Sequence, residues 1–393
     1  MSLSEDLKKA IEKARVGLSN SIPFPYSRLD EFMDISKSTM TVVGGSTGAG
    51  KTTVTSDIFV IEAIDWYLKN KNPNIKLSVI CFFMERAQVY YTARWVARKI
   101  FLDTGTLIHP KKILSGKKDY RLTDAELSLV EEYYEMLDTW EKEDLLITHS
   151  GSKNPTGISV YLELFAKKHG TINEVITVKE KENKTLGNVL NSKTYTPNHP
   201  NHIVIVVGDN SSVLDTEKDD VGHEKNSKAL VDKFSRTMRG ARDLYGFSPV
   251  IVQQLSRAAS SIDRIKAGLC TPKLSDFADS SQTQRDADIV IALFDPFEGI
   301  TTTPTMRDAN GYLLERLRDN KFRTFYRTLH VLKNSTDSSG IQIPMALHPI
   351  LGILKTLPPA KEMTDEIYDS VLSGEFFRQG RQEEIVKKPF KFS

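Results

Sequence analysis

The chain has 393 residues, 53 Lys and Arg against 51 Asp and Glu, 39% apolar residues and two cysteines. This length allows two or three ordinary domains or one large α/β domain, and the apolar and charged fractions exclude a disordered, collagenous or coiled-coil chain. A formal net charge of +2 excludes a protein that coats nucleic acid through bulk electrostatics, so any such contact must be local.

Cys81 and Cys270 lie far apart with no CxxC and no His-spaced partner, which argues against a disulfide framework or a zinc site and fits a reducing, cytoplasmic setting. Residues 1–16 mix Lys, Glu and Asp with apolar residues, unlike a signal or transit peptide, and no run of 18 apolar residues occurs. No membrane partner is expected.

Residues 2–16 read as a short amphipathic helix. Ser2 and Glu5 have capping-box spacing, and Leu7, Ala10, Ile11 and Ala14 follow the i, i+3, i+4, i+7 rule. Gly17, Asn20, Pro23 and Pro25 then make 17–27 a linker. From Thr39 onward, short apolar runs alternate with longer stretches of helical period. Strands are expected at 39–43, 77–84, 144–148, 203–207, 249–253, 287–294 and 328–332, and helices at 51–68, 88–102, 123–140, 157–169 and 223–245. Several of these strands are apolar without alternation, as in a parallel sheet covered on both faces. The expected fold class is therefore α/β, with a mainly parallel central sheet flanked by helices. The polar segment 171–200, with a β-like run at 174–179, reads as an inserted hairpin and loop. After Leu357 come prolines, a short helical stretch at 364–372 and a tail. No internal repeat is present.

The strongest chemical signal is Gly45-Ser46-Thr47-Gly48-Ala49-Gly50-Lys51-Thr52, a complete G-x-x-x-x-G-K-[ST] between an apolar strand and a helical segment. Its backbone N–H groups and helix N-terminus suit phosphates, Lys51 suits the β- and γ-phosphates, and Thr52 suits Mg²⁺; Thr53 completes the nucleotide-binding run. Asp209 is the first acid after the apolar run 203–207, which suits a magnesium-side carboxylate. Glu85 ends the run 78–84 and is either a general base or a solvent-facing strand-end residue. Gln253 and Gln254 close another strand where a γ-phosphate could be sensed, although amides are common at such ends. On 223–245, Leu230, Phe234, Met238, Ala241 and Tyr245 share a face, while Lys233, Arg236, Arg239 and Arg242 lie elsewhere. A core helix with a solvated basic face explains this better than a nucleic-acid stripe. The Ser-rich loop with Arg257, Arg264 and Lys266 is the better DNA candidate.

The motifs in order are IPFPYSRLDEFM, GGSTGAGKTT, VICFFMERAQ, ITHSGSKNPTGISVYLELFAKKHG, IVIVVGDNSSVL, SPVIVQQLSRAA and LSDFADSSQTQRDADIVIALF. This set, over roughly residues 18–350, resembles the RecA-like motor domain of DnaB-type hexameric replicative helicases, in a phage-like version whose setting would be the host cytoplasm. The resemblance implies ATP or another NTP with Mg²⁺, single-stranded DNA, and a homo-oligomeric, hexameric ring with nucleotide sites between subunits. It further implies Glu85 as base, Asp209 as magnesium-side acid, Gln254 as the link from nucleotide to DNA loops, Lys333 acting in trans, and a primase or loader as separate partners.

Two departures stand out. Ser335 occupies the place of the family's finger Arg, and Ala278 that of an Arg in the DNA-gripping loop, where the backbone N–H groups of Asp279 and Ser281 could still hold phosphates. The family's N-terminal primase-binding domain has no counterpart here, and 3–16 resembles the linker helix that docks on a neighbouring subunit. The organisation implied is a linker helix (1–19), a motor domain (20–358) and a tail (359–393). Two other readings are a RecA-like nucleotide-binding protein that assembles on DNA or a replisome with weak or no unwinding, and a kinase-like P-loop transferase.

Overall fold

The structure is a computed structural model that describes residues 3–15, 21–149, 151, 153–181, 184–218, 222–256, 261, 263–264, 271–277, 281–297, 310–312 and 322–378. In chain order the strands are β1 (Ser21–Pro23), β2 (Asp34–Ser36), β3 (Thr41–Gly45), β4 (Lys76–Phe83), β5 (Leu146–His149), β6 (Gly170–Lys181), β7 (Lys184–Pro197), β8 (His202–Asp209), β9 (Ser248–Gln254), β10 (Ile289–Phe294), β11 (Tyr326–Asn334), β12 (Ile341–Leu347) and β13 (Leu354–Thr356). The principal helices are α1 (Leu3–Arg15), α2 (Ser27–Asp30), α3 (Lys51–Ser56), α4 (Ala63–Asn70), α5 (Gln88–Thr104), α6 (Pro110–Ile113), α7 (Asp124–Glu131), α8 (Tyr134–Lys142), α9 (Pro155–His169) and α10 (Ser227–Tyr245).

Nine strands form the central sheet in the order β13-β12-β11-β10-β3-β9-β8-β4-β5. The run from β10 to β5 is parallel throughout, and β11, β12 and β13 extend it antiparallel at one edge. The parallel strands are apolar because both faces are covered. In β4, Val79 and Cys81 face a core with Ile58, Phe59 and Trp95, while Ile80 and Phe82 face a second core with Ile158, Leu162, Phe234 and Met238. These sets alternate along the strand, as the pleat requires. No helix among the described residues is long and apolar enough to cross a membrane.

Several boundaries differ from the sequence reading for local reasons. The helix expected at 51–68 runs through α3, a π-helical stretch (Asp57–Glu62) and α4. The stretch expected as one helix at 123–140 divides into α7 and α8, with turn bonds from Glu132 and Tyr133 to the carbonyls of Ser128 and Val130. α10 starts at Ser227, four residues later than expected, because the Asn226 side chain accepts from the Ala229 N–H and caps it there. The strand expected at 328–332 is the antiparallel β11, and its partner β12 was not anticipated. Pro344 interrupts the signal of β12, yet its carbonyl accepts from Leu357 N–H at 2.9 Å. Segment 171–200 is largely the hairpin β6–β7, paired from Gly170↔Pro197 to Lys181↔Lys184. Its root packs on α10, with Tyr195 edge-on to Tyr245 at 5.6 Å.

Candidate nucleotide site

Parallel strands deliver their following residues to one edge of a sheet. At that edge, β3 runs into the phosphate-binding loop, β4 leads to Glu85, β8 ends at Asp209 and β9 ends at Gln254. Gly50 precedes α3 with φ +107°, a left-handed conformation that side-chain-bearing residues rarely adopt. Lys51 Nζ donates to the Ser46 carbonyl at 2.9 Å, closing the loop on itself. Arg327 braces the loop from behind, its Nε donating to the Ala49 carbonyl at 3.1 Å. Gly45 ends β3, and its carbonyl accepts from Leu255 N–H.

A cleft of about 500 Å³ opens in front of the loop, lined by Thr47, Gly48, Gly50, Lys51, Thr52 and Thr53, by Glu85 and Arg86, and by Gln254. Thr52 Oγ1 donates to Asp209 Oδ1 at 3.1 Å, and Tyr91 donates to Asp209 Oδ2 at 3.2 Å. The Asp209 carboxyl is buried, which raises its pKa to about 6; the hydrogen bonds from Thr52 and Tyr91 oppose the shift and the nearby Glu85 charge adds to it. Such a carboxylate beside a hydroxyl is an oxygen pair suited to a hard cation. Glu85 is exposed at the cleft wall, and Lys153 donates to the carbonyl of Met84 just before it at 3.1 Å. Gln254 Nε2 donates to Thr47 Oγ1, tying the end of β9 to the crest of the loop.

Three side chains of α5 belong to this wall and were not singled out from sequence: Tyr91, Arg94 and Trp95. Arg94 donates to Thr53 Oγ1 at 3.0 Å and Trp95 Nε1 to Ser56 Oγ at 2.6 Å. Burial, together with the neighbouring Arg86 charge, lowers the pKa of Arg94. Their recurrence at helical spacing after Glu85 was the available signal.

Other expected residues lie away from the cleft. Lys333 sits near the end of β11, where its ammonium donates to the carbonyls of Gln284, Arg285 and Ala287 and caps the short helix Ser281–Asp286. Arg264 is ion-paired with Asp276. Arg257, Lys266, Ala278 and Asp279 lie outside the described residues, and Ser281 opens the helix Ser281–Asp286. On α10, Lys233 pairs with Glu217, Arg239 with Asp286 and Arg242 with Asp288, so much of its basic face is neutralised internally.

No family model matches the sequence and no curated protein matches it. Among solved structures, a helicase ATPase domain superimposes with a TM-score of 0.58 at 14% identity, covering 91% of this chain and 99% of that one. A DnaB-like replicative helicase, solved in work on its interactions with primase, gives 0.55 at 14% identity over 91% of this chain and 67% of that one. Together with the parallel sheet, these likenesses establish that the chain has the RecA-like fold of DnaB-type helicase ATPase domains.

Proposed function

We propose that the chain is an ATP-hydrolysing helicase motor that translocates on single-stranded DNA during DNA replication, in phage replication by its sequence resemblance, as a cytoplasmic homo-oligomeric ring of six. The observation that carries this reading is the convergence of the loop 45–53, Asp209, Glu85 and Gln254 on one cleft. The loop's N–H groups and Lys51 bind the phosphates, and Thr52 with Asp209 holds Mg²⁺, which when bound neutralises phosphate charge. Ionised Asp209 is costly where it lies, so a cation beside it is favoured. Glu85 accepts the proton of the attacking water, and Gln254 reports the γ-phosphate through the end of β9.

Oligomerisation is supported by two surfaces. Leu7 and Ile11 of α1 are 62% and 48% exposed, and a groove between α9 and α10 is lined by Leu162, Ala241, Leu244 and Tyr245. In this reading residues 1–19 form the linker to a neighbouring subunit, 20–358 the motor and 359–393 a tail. Lys333 acts in trans, and primase or a loader binds as a separate partner.

Lys51→Ala should abolish hydrolysis; DNA-stimulated turnover retained in that variant would refute the assignment. A second reading, a RecA-like protein that assembles on DNA or a replisome without strong unwinding, is favoured by Lys333 being engaged by three carbonyls and by Ser335 standing beside it. Strand-displacement assays with ATP separate the two, since the second predicts assembly without displacement.

A further inference from the structure

Gln253 and Gln254 are consecutive in β9, so their side chains leave opposite faces of the sheet. Gln254 faces the phosphate-binding loop, whereas Gln253 shares its face with Ile251, part of the core built around Phe234 and Met238. Gln253 is 1% exposed, and neither its amide nitrogen nor its amide oxygen has a hydrogen-bond partner among the described residues. An amide in that position costs free energy that an apolar side chain would not.

Its surroundings join two functional segments. Gln253 is in register with Gly44, the residue before the phosphate-binding loop. A Cβ on Gly44 would lie 2.3 Å from Phe277 Cζ, so the Phe277 ring rests directly on the β3 backbone. Beyond Gln254, Leu255 N–H donates to the Gly45 carbonyl at 3.1 Å and Ser256 N–H to the Asp276 carbonyl at 2.8 Å. Asp276 is itself buried and held by Arg264 and by Lys273 N–H. The start of the phosphate-binding loop, the end of β9 and segment 274–277 therefore form one packed junction, with Gln253 as its buried polar member.

We propose that Gln253 is a positioning residue that couples the phosphate-binding loop to the segment at Asp276 and Phe277, its amide gaining a hydrogen bond in the nucleotide-bound arrangement of this junction. Displacement of the loop moves Gly44 and Gly45, which carry Phe277 and Leu255 with them. Backbone groups released or brought near in that shift supply the partner, so the amide's cost in one arrangement becomes preference for the other. This rests on nucleotide binding at the cleft as proposed above.

The test uses the full chain with a non-hydrolysable ATP analogue and Mg²⁺, comparing wild type with Gln253→Leu and, as a second apolar side chain of similar length, Gln253→Met. In wild type, nucleotide should slow amide hydrogen exchange at Ser256 and Phe277. Both variants should bind the analogue with unchanged affinity, melt at or above the wild-type temperature without it, and lose most of the exchange response, about fivefold or more at these amides. Variants that keep the full response, or that melt well below wild type, overturn the inference, the latter because it shows the amide already satisfied at rest. If wild type binds no nucleotide, the functional reading falls and this one with it; if wild type binds and responds and the variants respond equally, only this one falls.

Discussion

Replacing Arg98 tests how the phosphate-binding helix is held in place. The Arg98 side chain is 2% exposed, with one guanidinium nitrogen on Asp57 and another on Glu62, and Tyr26 donates to the second Asp57 oxygen. Both acids lie in the π-helical stretch of the helix that begins at Lys51. Arg98→Met keeps much of the aliphatic volume but strands two carboxylates in the interior. Breaking a buried pair from one side costs about 3–5 kcal/mol, a large share of the roughly 5–15 kcal/mol that holds a typical native state. Removing the charges together should recover most of it, so Arg98→Met with Asp57→Asn and Glu62→Gln should approach wild type. The deficit of the single variant should also shrink between pH 7 and pH 5. A stranded acid has a raised folded-state pKa, its penalty applies above its unfolded value, and protonation relieves it. Equilibrium denaturation at the two pH values measures all three quantities. A loss below about 1 kcal/mol, or a triple variant no better than the single one, refutes the argument.

Arg94→Ala should weaken nucleotide binding by roughly 1.5–3 kcal/mol, about 10- to 150-fold, because the bond to Thr53 and a cation of the cleft wall are lost together; titration with a fluorescent nucleotide checks it, and an unchanged affinity counts against the cleft. Lys333→Ala should cost about 0.5–1.5 kcal/mol through the uncapped helix Ser281–Asp286, read as a lower denaturation midpoint. At a temperature where that variant is folded, a large fall in turnover supports action in trans, and unaltered turnover supports the non-unwinding reading. His202, His330 and His348 are buried, and burial lowers their pKa values to about 3, 4 and 4. The unfolded chain binds these protons near pH 6.5 and the native state does not, so stability is lost as pH falls below that value, by about 1–2 kcal/mol apiece between pH 7 and 5. His330→Gln should flatten its share of that slope in denaturation curves; an unchanged slope would sink the assignment.

The residues legible in sequence were those whose position is set by strand polarity. Asp209 and Gln254 are each found at the close of an apolar run, because parallel strands bring their ends to one edge. Arg94 and Tyr91 escaped because their position depends on how α5 rotates against α3, a packing result carried by Trp95–Ser56 and Arg98–Asp57 rather than by a motif. β12 escaped because Pro344 mimics a break, while its neighbours supply a ladder on both sides. The basic face of α10 looked available in sequence because the acids that neutralise it, Glu217, Asp286 and Asp288, come from distant segments.

Strand polarity also decides what Lys333 can do. Ile289 of β10 pairs with Thr41 at the start of β3 and, across the antiparallel ladder, with Asn334 of β11. Lys333 therefore lies at the edge of the sheet where β3 begins, while the phosphate-binding loop comes after the end of β3. A five-residue strand spans about 16 Å, so a lysine side chain anchored at its far end, and already folded onto the carbonyls of 284–287, cannot reach the phosphates of its own cleft. Any catalytic part it plays must be toward another copy of the chain, and it must first leave those carbonyls. The cap is thus a competitor of the finger, and Lys333→Arg, with a wider fork of donors, should shift that competition measurably in both the denaturation midpoint and the turnover of assembled protein.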